Sequence, residues 1–177
     1  YNPYNQDDVK EERITKFFSD AINEAYLVDQ IDFSSYDLIV VFHAGIGQDF
    51  SLPFLDPTPE DIPSTYVDNK MLLAHLGTSS ITVGNHEISH GIILPETQNH
   101  LLYDIAESMF SSASQPCEYQ YGLTGTFALM VGFAVGLPPL WNIETGESGI
   151  GVFGLMDQGS NNGRGFVPSP PTAWTRI

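Results

Sequence analysis

The chain has 177 residues with 42% hydrophobic and 12% aromatic content, enough for one domain with a real core and too apolar for a disordered segment. Six Lys and Arg against 22 Asp and Glu leave a formal charge of −16, which phosphate backbones and anionic lipid surfaces repel, so nucleic acid and membranes are not expected partners. No apolar run reaches the roughly 20 residues that a membrane span needs.

The only cysteine, Cys117, rules out an intrachain disulfide and reads as a small buried hydrophobe. The chain opens on Tyr1-Asn2-Pro3 and closes on "AWTRI", which reads as a piece of a processed or larger protein, with residues 1–177 forming a single domain.

In chain order, "DDVKEERITKFFSDAINEAYLVDQ" is the clearest helix. Ile14, Phe17, Phe18, Ala21, Ile22, Ala25 and Val28 recur at helical spacing and form one apolar stripe. Asp7 and Asp8 supply a cap and favourable charge at its start, while Lys10, Glu11, Glu12 and Asp20 read as a solvated face. "YDLIVVFHAG" predicts a buried strand ended by Gly45 and Gly47. "LPFLDPTPEDIPS", with four prolines, predicts an irregular surface loop. "SITVGNHEISHGIILPET" shows two β-rich runs around Gly84-Asn85, a hairpin signature in which Ile81 to Val83 pairs with part of Ile88 to Leu94. "GLTGTFALMVGFAVGLPPLWN" is apolar nearly all round and predicts a buried helix from about Thr124, closed by Gly136 and stopped by Pro138 and Pro139. The Gly-, Asn- and Pro-rich remainder predicts ordered loop. The chain is thus α/β (α+β), with an amphipathic N-terminal helix, a mixed sheet and a buried central helix.

His86-Glu87-Ile88-Ser89-His90 fits H-E-x-x-H, the pattern that on a helix aligns two zinc ligands and a general base. Its surroundings oppose a helix: Gly84-Asn85 stands before it, and Gly91, Ile92, Ile93 and Leu94 run directly into Pro95. On an extended strand His86 and His90 lie about 13 Å apart, too far for one zinc. No Gly-x-x-His follows to supply a third ligand, and no helix pattern places Glu107. Zinc at His86 and His90 with Glu87 as the base is therefore the alternative reading, and a chance pattern on a solvent-facing hairpin the preferred one. His43 ends a strand and reads as a hydrogen-bonded structural histidine, while His75 and His100 have no partners at metal-ligand spacing. A Gly-x-Ser-x-Gly elbow and a P-loop are both absent from the sequence.

"MVGFAVGLPPLWNIETGESGIGVFGLMDQGS" resembles the M6 peptidases, the immune inhibitor A group of secreted zinc metalloproteases. Gly136-Leu137-Pro138, Leu140 and Trp141 match the end of that family's active-site helix, H-E-x-G-H-x-x-G-L-P-x-L-Y. Gly149, Gly151, Leu155-Met156 and Gly159 match the G-x-G-x-W-x-L-M-x-x-G segment that follows it. "YDLIVVFHAG" and "GIILPET" look like the family's strand before the site and its hairpin strand. The resemblance implies a zincin-like metalloprotease fold, with Met156 as a Met-turn beneath the metal helix. It also implies that Leu129, Met130 and Phe133 stand where the family has its first histidine, catalytic glutamate and second histidine, while Gly132 is retained. Apolar side chains cannot bind zinc or move a proton, so the expected site is a filled one, with these three residues largely buried.

The function this implies is a secreted or cell-surface module, non-catalytic, that binds a protein partner or takes part in an extracellular assembly. The alternative is an active zinc metalloendopeptidase using His86, Glu87 and His90. Calcium is a candidate cofactor, since "NIETGESG" and "DQGSNNG", with Asp157, Asn161 and Asn162, cluster hard oxygen donors, although neither stretch has EF-hand spacing and Asx-turns explain them as well.

Overall fold

A computed structural model describes residues 7–49, 61–98 and 121–176. His100, Glu107, Cys117, most of the proline-rich loop and the side chains of Asp7 and Asp8 lie outside the described part. Helix α1 (Asp7–Leu27) buries Ile14, Phe18 and Ile22, spaced by four so that one stripe meets the core. Phe17 and Ala25 flank them, whereas Val28 lies past the helix end and is exposed.

Strands β1 (Val40–Ile46), β2 (Thr65–Val67) and β5 (Gly91–Thr97) form a mixed sheet in the order β1-β5-β2, parallel between β1 and β5 and antiparallel between β2 and β5. Helix α2 (Asn69–Leu76) follows β2. Its N-cap is Asp68, whose carboxylate accepts from the N–H groups of Lys70 and Met71, and Gly77 ends it at φ 74°. Then β3 (Ile81–Val83) and β4 (His86–Ile88) form a separate two-stranded hairpin.

Two strand assignments change. The β3 partner is His86–Ile88, with Ile81 opposite Ile88 and Val83 opposite His86, so of the expected Ile88 to Leu94 run only Ile88 takes part. Gly84 at φ 60° makes a two-residue turn with Asn85, so the return strand starts at His86 at once. Gly91 to Pro95 are all buried, and a run covered on both faces suits the centre of a sheet, where it lies. By contrast β1, expected to be buried, pairs only with β5 among the described residues, and Phe42 is 59% exposed.

Alternation sorts the two faces of the sheet. Val67 and Ile93 join Phe18, Ile22, Phe33, Leu72 and the hairpin residues Ile81, Val83 and Ile88 in one core. Tyr66, opposite Ile92 in the register, points the other way, toward helix α3 (Thr124–Ala134), where its ring stacks on Phe133. The described chain is a mixed α and β structure with helices on both faces of its larger sheet. None of its described helices is long and apolar enough to cross a membrane.

The contact of α1 with the sheet depends on Gly91. A Cβ there would overlap the Phe18 ring and stand 2.9 Å from the Ile39 carbonyl oxygen. Gly91→Ala should cost about 1–3 kcal/mol through this overpacking, read as a lower midpoint in chemical denaturation at unchanged slope.

Candidate functional site

Helix α3 carries the three positions for which the M6 resemblance implies lost metal ligands, and its packing differs from the expected buried helix. Only Gly125, Thr126 and Gly132 are buried along it. A Cβ on Gly125 would collide with the Ser160 carbonyl oxygen, and one on Gly132 would lie 2.5 Å from Met156 Sδ. Seven residues apart, the two glycines share one face, and there the helix lies directly on the 156–160 segment. Larger side chains cannot enter so narrow a gap. Leu129, which shares that face, and Met130 and Phe133 are half-buried rather than largely buried, while Phe127 is 40% and Val135 69% exposed.

Met156 is fully buried under Gly132. Gly136 at φ 85° ends the helix, and the Leu137 N–H donates to the Gly132 carbonyl at 2.9 Å. Leu140 then donates to the Met156 carbonyl at 2.8 Å, and a bridge joins Trp141 to Ser148. Phe133 sits in a row of rings, with Tyr66 at 6.1 Å and Trp141 edge-on at 5.8 Å; His90 lies beyond Tyr66 at 6.2 Å. Burial, and secondarily the charge of Asp68, push the Tyr66 hydroxyl above its usual range.

The H-E-x-x-H residues are hairpin, as Ser89 and His90 leave β4. Glu87 is exposed opposite Thr82, with Ser80 Oγ 3.4 Å from its carboxylate, and Ser89 Oγ lies 3.2 Å from His90 Nδ1. His86 and His90 do share a shallow groove of about 190 Å³ with Tyr36 and Asp37. No group of three or more His, Cys, Asp or Glu among the described residues is placed to hold a metal. His86 also lines a pocket with Asp32, whose carboxyl lies below its usual range chiefly because the Ser34 hydroxyl and N–H donate to it.

His43 is tied to backbone: Nδ1 lies 2.9 Å from the Ala44 carbonyl oxygen and Nε2 3.1 Å from that of Ile62. His75 pairs with Glu11 at 3.2 Å, joining α2 to α1.

The calcium candidates have the wrong polarity for a cation. Asp157 Oδ2 accepts from the N–H groups of Gly149, Ile150 and Gly151 and from Ser148 Oγ, at 2.7 to 2.9 Å, and Oδ1 accepts from the Gln158 N–H. Donors converging on a carboxylate occupy the lone pairs that calcium needs. Asn162 donates its amide to the Val152 carbonyl and to Ser169 Oγ, and Asn161 is exposed. Asn142, in the other candidate stretch, accepts from the N–H groups of Glu144 and Thr145, an Asx-turn.

One polar cluster has no counterpart in the sequence reading. Asp49 accepts from the Ser64 N–H and hydroxyl at 2.7 and 2.6 Å, and Gln98 Nε2 donates to Asp49 at 2.6 Å and to Thr126 Oγ1 at 2.9 Å. It ties the ends of β1 and β5 and the start of β2 to the first turn of α3. Its one sequence signal is Thr126, a polar residue inside an apolar helix. Compared with protein-family models, with curated proteins and with solved structures, the chain matches none.

Asp157 is 5% exposed, closed off by the N–H groups of its own loops. Burial pushes its carboxyl up, but the bonds from Ile150, Ser148, Gln158 and Gly151 outweigh that and hold it below the usual carboxylate value. A depressed folded value means that its stabilisation is complete above the unfolded value near 3.9 and is lost as pH falls through the folded one. Asp157→Asn should destabilise the protein by about 2–3 kcal/mol at neutral pH. Melting temperatures of wild type and variant should converge in acid below that window.

Proposed function

We propose that the chain is a zincin-like, M6 peptidase-like domain whose metal helix has lost its ligands, acting as a secreted or surface module that binds a protein partner or joins an extracellular assembly without catalysis. The observation that carries this reading is the chemistry of α3. Its retained Gly132 rests on a buried Met156, the arrangement that the resemblance implies beneath a metal helix, while the three positions for metal and base hold Leu129, Met130 and Phe133. None of these can ligate zinc or transfer a proton. Partly accessible and accompanied by the exposed Phe127 and Val135, they suit contact with another apolar protein surface.

The alternative, an active zinc metalloendopeptidase using His86, Glu87 and His90, draws its support from the groove that both histidines line. Against it stands the extended backbone at β4, since the ligand pair and base of H-E-x-x-H align only on a helix.

Metal counting separates the two. Protein equilibrated with zinc at neutral pH and dialysed should retain none stoichiometrically and should not cleave an unfolded protein substrate, and His86→Ala and His90→Ala should change neither result. One zinc per chain, lost together with peptidase activity in either variant, would overturn the proposal.

A further inference from the structure

The chain carries six basic residues, and two of them, Lys10 and Arg13, line one pocket of about 160 Å³. The pocket lies between α1 and the 61–63 segment, away from α3. Lys10 and Arg13 are three residues apart on α1, and Ile14 and Phe17 follow each at a spacing of four, so all four emerge on one side of the helix. The helix thus offers cations at one end of the pocket and an apolar surface at the other. Ile62 and Pro63 add apolar lining from the 61–63 segment, and Asp61 is the third charged group among the described lining residues. Lys10 is half-buried. Ion pairs among the described residues engage Lys16 with Asp20 and His75 with Glu11, not Lys10 or Arg13.

We propose that this pocket binds the carboxylate of a small apolar acid, the carboxylate on Lys10 and Arg13 and the hydrocarbon against Ile14, Phe17, Ile62 and Pro63. Charge complementarity selects this occupant. Among the described lining residues two cations and Asp61 leave one net positive charge within a chain of −16, which matches a monoanion better than a phosphate or a polyanion. Arginine's planar fork suits a carboxylate held by two parallel bonds. Such a group occurs in a free short-chain acid and in the C-terminal residue of a peptide ending in leucine. The proposal is independent of the reading of α3.

Amide chemical shifts of the full chain at low salt test it, with 4-methylpentanoate, 4-methylpentan-1-ol, inorganic phosphate, and N-acetyl-Gly-Gly-Leu as acid and as amide. The expected result is saturable shifts on α1 and 61–63 with either acid, weakening as salt is added. Response to the free acid alone would assign the pocket to small acids, and response to the peptide acid to chain termini; both support the proposal. Arg13→Gln, at an exposed position, should raise the Kd about threefold, and Lys10→Gln with Arg13→Gln about tenfold or more. Equal binding of the alcohol or the peptide amide would reduce the pocket to an apolar groove. Equal binding of phosphate, unchanged affinity in Arg13→Gln, or silent α1 amides with both acids would each overturn it.

Discussion

The arrangement of the C-terminal third depends on the absence of two side chains. Gly125 lets the backbone of α3 lie against the Ser160 carbonyl at a distance that no side chain would tolerate, and Gly132 lets it lie close over the Met156 side chain. Once that face is fixed inward, every larger residue of the helix has its direction set. Leu129, Met130 and Phe133 stay half-buried, and Phe127 and Val135 reach solvent. The segment beneath must then be held at one height. Asp157 does this by gathering the N–H groups of 149–151 onto one carboxylate oxygen, while Leu140 and Gly149 tie the returning chain. The carboxylate acts here as a clamp on the fold, which is why its surroundings exclude a cation.

On the other side of the sheet the constraint is the burial of Gly91 to Pro95. A strand covered on both faces must be central, so β5 takes β1 and β2 as neighbours and is not available to the hairpin. The hairpin closes instead on His86–Ile88, because Gly84 turns the chain within two residues. That placement decides the chemistry of H-E-x-x-H. Side chains alternate along β4, so Glu87 leaves to solvent while Ile88 enters the core. Spacing alone carries no chemistry until the backbone puts the three groups on one side.

Much of this was legible in the sequence because it rests on local rules. The stripe Ile14, Phe18 and Ile22 announces α1, Gly84-Asn85 announces a turn, and Gly136 with Pro138 and Pro139 announces the end of α3. The extent of burial was not legible, because it depends on what each element meets. An all-apolar helix reads as buried, yet α3 presents glycines inward, and the paired signals that show this, Gly125 and Gly132 seven apart, gain meaning only with Met156 and Ser160 in place. Helix α2 has no counterpart among the predicted elements although Asp68 and Gly77 cap both its ends; eight residues give too short a period. The cluster of Asp49, Ser64, Gln98 and Thr126 draws on four separated segments, and Lys10 reads as solvated until the 61–63 segment is laid beside it.

The central claim is that α3 docks through its glycine face. Gly125→Ala tests it most directly, because the added methyl would meet backbone, the Ser160 carbonyl, which cannot step aside as a side chain end can. The account predicts a loss of about 2–4 kcal/mol in denaturant unfolding, as for severe overpacking, while Val135→Ser at the exposed C-terminal end of the helix stays within about 0.5 kcal/mol of wild type. Wild-type stability in Gly125→Ala, with a marked loss in Val135→Ser, would mean that the helix does not dock through its glycine face and would contradict the account.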